Sequence, residues 1–270
     1  MHDAIENLLG NVGAEYEEVV IRSHLLFRNS VTCRDGEIEE TTAENLAGIG
    51  IRVLIDGSWG FASFSGSRES IKDLPMLLKS ALLDATKISK TLSRARGLEV
   101  ELAPTNPTKG KFEVSSKSKG DLSLEETMKI ALDIDKEVRE SSSLIKSSGV
   151  VLGTIRENRS ILTLSGTKAE VHDMKSDLYV TAIAGQNGRL ETHTESLGVT
   201  GSISDIFQMS APLNFATRAS NIAVRKLNAR TPRAGIQISV LDPEIVGLLC
   251  HEAIGHTVEA DFVLSGSITR

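Results

Sequence analysis

Apolar and polar positions alternate through much of the first quarter of the chain. Ile49, Ile51, Val53 and Ile55 are separated by Gly50, Arg52 and Leu54, the two-residue period of a strand. Residues 16–33 read as extended chain through Tyr16, Val19, Val20, Ile21, Leu26, Phe27 and Val31. Asp35-Gly36 and Asp56-Gly57 punctuate the pattern, and Asp-Gly supplies the positive φ that tight hairpins require. With Trp59, Phe61 and Phe64 following the second turn, the expectation is a short helix over 2–9 and then an antiparallel meander of about four strands.

The period then changes. Ile71, Leu74, Leu78, Ala81, Ala85 and Ile88 recur at three- and four-residue steps, so residues 70–90 predict an amphipathic helix with Pro75 in its first turn. Pro104, Pro107, Gly110 and Gly120 lie among Lys, Ser and Thr and suggest a linker. Ser123 and Glu126 match a capping box ahead of the stripe Leu124, Met128, Ala131, Ile134 and Val138. Strands are expected at 149–155, 160–165, 176–184 and 190–197, with turns at Glu157-Asn158, Ser165-Gly166 and Gln186-Asn187-Gly188. Residues 213–228 return to helical spacing. A short strand, Ile236 to Leu241, leads into Asp242-Pro243, an N-cap followed by a favoured first helical residue. Ile245, Val246, Leu248 and Leu249 make that last helix apolar, and it is expected to be buried.

These elements predict an α+β fold in two parts: strand-rich layers with flanking helices. Residues 1–103 form an amino-terminal meander-plus-helix domain, 104–120 a linker, and 121–270 a second α+β domain, incomplete at its carboxy end. Both parts are strand-rich, yet their sequences do not align with each other. The composition changes this picture little: 40% hydrophobic and 24% charged residues are ordinary for a soluble globular chain. A net charge of −6 without a basic stripe argues against a nucleic-acid partner. No apolar run is long enough for a membrane span, and the acidic start lacks the features of a signal peptide. Two cysteines, Cys33 and Cys250, give no disulfide framework, so the expected setting is the reducing cytoplasm.

One segment carries recognisable chemistry. His251 and His256 flank Glu252 on the predicted last helix. Zinc takes neutral imidazoles as ligands, and a nearby Glu can accept the proton of an attacking water. The familiar helical arrangement spaces the two His four residues apart; here the spacing is five. On a regular helix five residues place the rings about 140° apart, too far for one metal. The helix must therefore absorb one extra residue, as a π-bulge does, and Gly255 removes a side chain where the distortion would fall. The bland alternative is two unrelated helix histidines with Glu252 exposed.

The segment from Leu249 to Phe262, with His251-Glu252-Ala253-Ile254-Gly255-His256 at its centre, resembles the signature of the TldD/PmbA family of zinc metallopeptidases. So do Arg34-Asp35-Gly36-Glu37-Ile38-Glu39, the run Gly48 to Leu54, and Gly57-Ser58-Trp59-Gly60-Phe61-Ala62-Ser63. The resemblance implies a cytoplasmic peptidase that cuts unfolded or short linear peptides, with Zn held by His251 and His256 and a zinc-bound water activated by Glu252 as general base. It also implies a dimer, either of identical subunits or with a related subunit. The family draws its third ligand, a Cys, from a carboxy-terminal region; this chain stops at Arg270, so the resemblance implies a carboxy-terminally truncated member. Glu259, three residues after His256, could support the site. The competing expectation is a non-catalytic partner subunit or degenerate peptide-binding module. His24, His172 and His193 lack a partner motif and are expected to be surface or packing residues; Trp59 is expected in the core or at an interface.

Overall fold

The computed structural model describes residues 2–66, 73–96, 100–104, 106–114, 122–266 and 268. They fall into two units, residues 1–229 and 230–270. The first is built on a seven-stranded sheet. Helix α1 (His2–Gly10) precedes three long strands, β1 (Glu18–Arg34), β2 (Glu37–Ile55) and β3 (Ser58–Gly66), and helix α2 (Leu74–Arg96) follows them. After β4 (Lys109–Val114), helix α3 (Leu124–Glu140) leads into β5 (Ile145–Thr163), β6 (Lys168–Gln186) and β7 (Arg189–Thr200), closed by α4 (Ile203–Met209) and α5 (Pro212–Lys226). The α+β class expected from the sequence is the one observed.

The strand order β3-β2-β1-β5-β6 makes the sheet a repeat. Each half is a helix, three antiparallel strands joined by two hairpins, and a helical close, α2 in the first half and α4 with α5 in the second; the halves meet where β1 runs antiparallel to β5, from Val20 opposite Thr163 to Arg34 opposite Gly149. The turn glycines correspond, Gly36 to Gly166 and Gly57 to Gly188, and all four sit at positive φ. The free edge of β6 is shared end to end by β4, which is parallel to it along Lys168–Asp173, and β7, which is antiparallel along Lys175–Gln186.

Successive residues of a strand face opposite sides of the sheet. β1 feeds two cores from one side: Val19 and Ile21 pack with Ile49, Ile51, Val53, Leu78, Leu82 and Ala85 beneath α1 and α2. Val31 and Cys33 pack with Ile134, Val138, Leu152, Leu178, Val180 and Phe215 beneath α3, α4 and α5. Both helix groups therefore cover the same face. Buried polar groups are paired across elements. Asp135 of α3, fully buried, accepts from Ser148 Oγ at 2.5 Å and from Arg139 Nε at 2.8 Å. Ser89 Oγ of α2 donates to the Ser58 carbonyl at 2.7 Å.

Several expectations need correction. The meander holds three strands rather than four, because β1 and β2 run unbroken for 17 and 19 residues. Glu157-Asn158 is not a turn: β5 continues through it, paired with β1 on one side and β6 on the other. The Glu157 carboxylate is held mid-strand by His24 Nε2 at 2.9 Å and Lys175 Nζ at 2.7 Å, and the Lys175 hydrogen bond keeps its pKa below the ordinary carboxylate range. Within the stretch read as linker, 109–114 forms β4; residues 115–121 lie outside the described residues, as does Ile71 of the expected α2. Helix α4 was not foreseen. The alternation at Ile236, Ile238 and Val240 does not form a strand among the described residues.

Candidate metal centre

The second unit contains helix α6 (Pro243–Cys250), a π turn over His251–Gly255, a 3-10 turn over His256–Val258 and helix α7 (Ala260–Ser265). The start of α6 follows the local chemistry of its sequence. Asp242 caps it, accepting from the Ile245 N–H at 2.9 Å, and Pro243 occupies the first turn, where a missing donor costs nothing. Contrary to expectation, Ile245, Val246, Leu248 and Leu249 are exposed rather than buried.

At His251 the helix widens. The N–H of His256 bonds the carbonyl of His251, five residues back, so the extra residue demanded by the spacing is taken up in one π turn. The two imidazoles come edge to face, ring centroids 4.6 Å apart and planes at 77°. His251, Glu252 and His256 each offer a ligand atom within 4.8 Å of the others, and all three are exposed or half-exposed to an arriving ion. A widened turn breaks the regular ladder, and the Thr257 hydroxyl answers it by donating to the carbonyls of Ala253 and Ile254 at 3.1 and 3.0 Å. That role for Thr257 was missed; a hydroxyl four residues after Ala253 was the available signal. His256 Nδ1 lies 3.0 Å from Glu259 Oε1. Gly255 is not sterically required: a Cβ there would sit 3.9 Å from the Cys250 carbonyl, an ordinary contact.

Two imidazoles and a carboxylate fit a borderline divalent ion such as zinc. Cys250, exposed and the last residue of α6, is not part of the cluster, and Cys33 is buried in the first unit. His24, His172 and His193 each face a glutamate on the sheet, at 2.9, 3.3 and 2.9 Å. Trp59 carries the Arg52 guanidinium 4.6 Å over its ring.

Comparison with known proteins bears on the first unit most directly. Residues 20–85 match the PmbA/TldA metallopeptidase domain 1, and residues 117–227 match the PmbA/TldA metallopeptidase central domain. The chain belongs to the PmbA/TldD family. Neither matched range reaches His251, but this PmbA/TldD chain also aligns over 266 residues, 97% of its length, with a metalloprotease of Methanocaldococcus jannaschii at 30% identity. That alignment covers 55% of the relative. A shorter match, 42% identical over 71 residues, is to a protein of Saccharolobus solfataricus named a zinc metalloprotease TldD homolog; it covers 26% of this chain and 15% of the relative. The fold is that of a Bacteroides thetaiotaomicron protein named for a conjectured role in modulating DNA gyrase, with TM-score 0.69 at 17% identity, covering 94% of this chain and 55% of that one. The PmbA/TldD chain thus spans about half the length of the curated relatives it matches most fully. No described helix is long and apolar enough to cross a membrane.

Proposed function

We propose that this protein is a zinc-dependent peptidase, or the metal-bearing part of one, that hydrolyses unfolded or short linear peptides. The observation that carries the reading is the π turn, which gathers two imidazoles and a carboxylate that a regular helix would scatter. His251 and His256 hold the ion. Zinc in such a site supplies a Lewis acid that polarises a carbonyl and lowers the pKa of water. Glu252, exposed beside both rings, accepts the proton of the attacking water and returns it to the leaving amine, the work of a general base and then acid. The family membership and the names of the relatives support this assignment. The exposed apolar side chains Leu248, Leu249, Ile254 and Val258 support a dimer, with an identical or related subunit, since apolar side chains gathered on one short segment call for cover. The two unpaired cysteines suit a cytoplasmic setting.

A second reading, a peptide-binding subunit without hydrolysis, is favoured by the donor count. Catalytic zinc sites keep three protein ligands, and with Glu252 as base the cluster among the described residues supplies two, His251 and His256. Metal analysis and cleavage of an unstructured peptide separate the two. The purified protein is expected to carry zinc that is lost in His251→Ala and His256→Ala, while Glu252→Gln keeps the zinc and loses cleavage. Near-normal turnover in Glu252→Gln would remove Glu252 from the mechanism; zinc without cleavage in the unaltered protein would establish the second reading.

A further inference from the structure

A neutral imidazole has one N–H and one lone pair, so it can serve a metal only through the nitrogen that is not protonated. Which nitrogen that is depends on the hydrogen bond made by the other. His256 can therefore act as a ligand in two ways, and the surrounding chain must choose between them.

Glu259 is placed to make that choice. Its Oε1 lies 3.0 Å from His256 Nδ1. A carboxylate accepts but does not donate, so this contact requires the hydrogen on Nδ1 and leaves the lone pair on Nε2. The backbone sets up the contact. His256–Val258 is a 3-10 turn, with three residues per turn, so residue 259 comes round onto residue 256. The Glu259 N–H also bonds the His256 carbonyl at 3.3 Å, closing the turn from the main chain. At Glu259 the chain leaves helical geometry, with φ −60° and ψ 135°, and becomes the N-cap of α7. Its side chain makes no capping bond there, so the carboxylate is committed to the imidazole.

We propose that Glu259 is a positioning residue that fixes the His256 tautomer and presents Nε2 to the metal. The proposal rests on the metal reading above but goes past it, because the tautomer exists before any ion arrives. Removing the partner that orients a ligating histidine weakens metal binding by about 10- to 100-fold.

The test has two arms, both without peptide cleavage. Nitrogen-15 NMR of the metal-free protein above pH 8, where imidazole is neutral, reads the tautomer of His256. The Nδ1–H form should dominate in the unaltered protein, revert to a mixture in Glu259→Ala, and persist largely in Glu259→Gln, whose amide oxygen still accepts. Competition between the protein and a chelator for Zn²⁺ should show about 10-fold or greater weakening in Glu259→Ala and a smaller loss in Glu259→Gln. Because Glu259 caps nothing with its side chain, the alanine variant keeps the helix start. An Nε2–H tautomer in the unaltered protein, or an Glu259→Ala variant unchanged in tautomer and within about twofold in affinity, overturns the proposal. Equal losses in Ala and Gln variants with a shifted Co²⁺ spectrum would make Glu259 a ligand instead, which also overturns it. Failure of the metal reading shows separately, as zinc binding indifferent to His256→Ala.

Discussion

Among the described glycines of the first unit, Gly60 is the least able to accept a side chain. It sits on β3 opposite Val53, directly under α2. A Cβ at this position would lie 1.9 Å from the Ala85 carbonyl oxygen, 2.6 Å from the Ser89 nitrogen and 2.9 Å from the Ala85 carbonyl carbon. All three are helix backbone, so no side-chain rotation relieves the clash. Restoring ordinary van der Waals separation requires α2 to withdraw by roughly 1.5 Å. That movement takes Ser89 Oγ, now 2.7 Å from the Ser58 carbonyl, out of bonding range, and loosens Leu78, Ala81, Leu82 and Ala85 on the sheet. Overpacking costs about 1–3 kcal/mol and a buried hydrogen bond left unmade about 1–3 kcal/mol, so Gly60→Ala should lose about 2–6 kcal/mol. For a domain of this size each kcal/mol lowers Tm by about 2–4 °C, which places the drop at about 4–24 °C. Thermal unfolding followed by circular dichroism measures it. Gly48→Ala is the control, because its Cβ would rest 3.7 Å from the Phe64 carbonyl, an ordinary contact. A Gly60→Ala protein melting within about 2 °C of the parent would show that α2 is not seated on β3 as described.

Two further outcomes follow from titratable groups. Burial raises the Asp177 carboxyl pKa above its ordinary value, so the folded state binds the proton more tightly than the unfolded chain and stability falls as pH rises from the unfolded pKa through the folded one. Asp177→Asn should therefore raise stability at pH 7, with the gain vanishing below about pH 4, the unfolded range; denaturant titrations at pH 7 and pH 3.5 check this, and an unchanged midpoint at pH 7 would refute it. Burial, with Asp135 adding to it, pushes the Cys33 thiol up to about 11, whereas Cys250 is exposed. A disulfide reagent at pH 8 should label Cys250 at once and Cys33 only on unfolding, and prompt labelling of both would show the core beneath α3 to be open.

What the sequence disclosed was mostly local chemistry. The capping box of α3 forms as read, with Glu126 N–H on Ser123 Oγ at 3.1 Å and Ser123 N–H on Glu126 Oε2 at 2.8 Å. The hairpin turns were legible because positive φ depends on two residues. The π turn was legible because a five-residue spacing leaves a helix no other way to bring two rings together. What stayed hidden was non-local. Glu157 looks like a turn residue until His24 from β1 and Lys175 from β6 arrive to hold its charge. β4 is exposed at every position, so it shows no alternation, and its strand character comes entirely from the β6 edge. The opposite error occurred at Ile236, Ile238 and Val240, where the alternation is clean but no described strand supplies a ladder, and backbone groups do not hold extended pairing alone.

The two three-stranded halves are stitched along one line, β1 against β5, and that line joins residues separated by on the order of a hundred positions. During synthesis the first half can complete both of its hairpins and seat α2 while the inner edge of β1 still lacks its neighbour. That edge is long and carries backbone donors and acceptors suited to any extended strand it meets. A nascent chain of this protein is thus exposed to mispairing from the moment β3 emerges until Gly149–Thr163 leaves the ribosome, and a second nascent copy offers the same edge. Slowing translation between Gly66 and Gly149 lengthens that exposure, so yield of folded protein should depend on codon choice in a stretch whose described residues give the sheet only β4 and the start of β5.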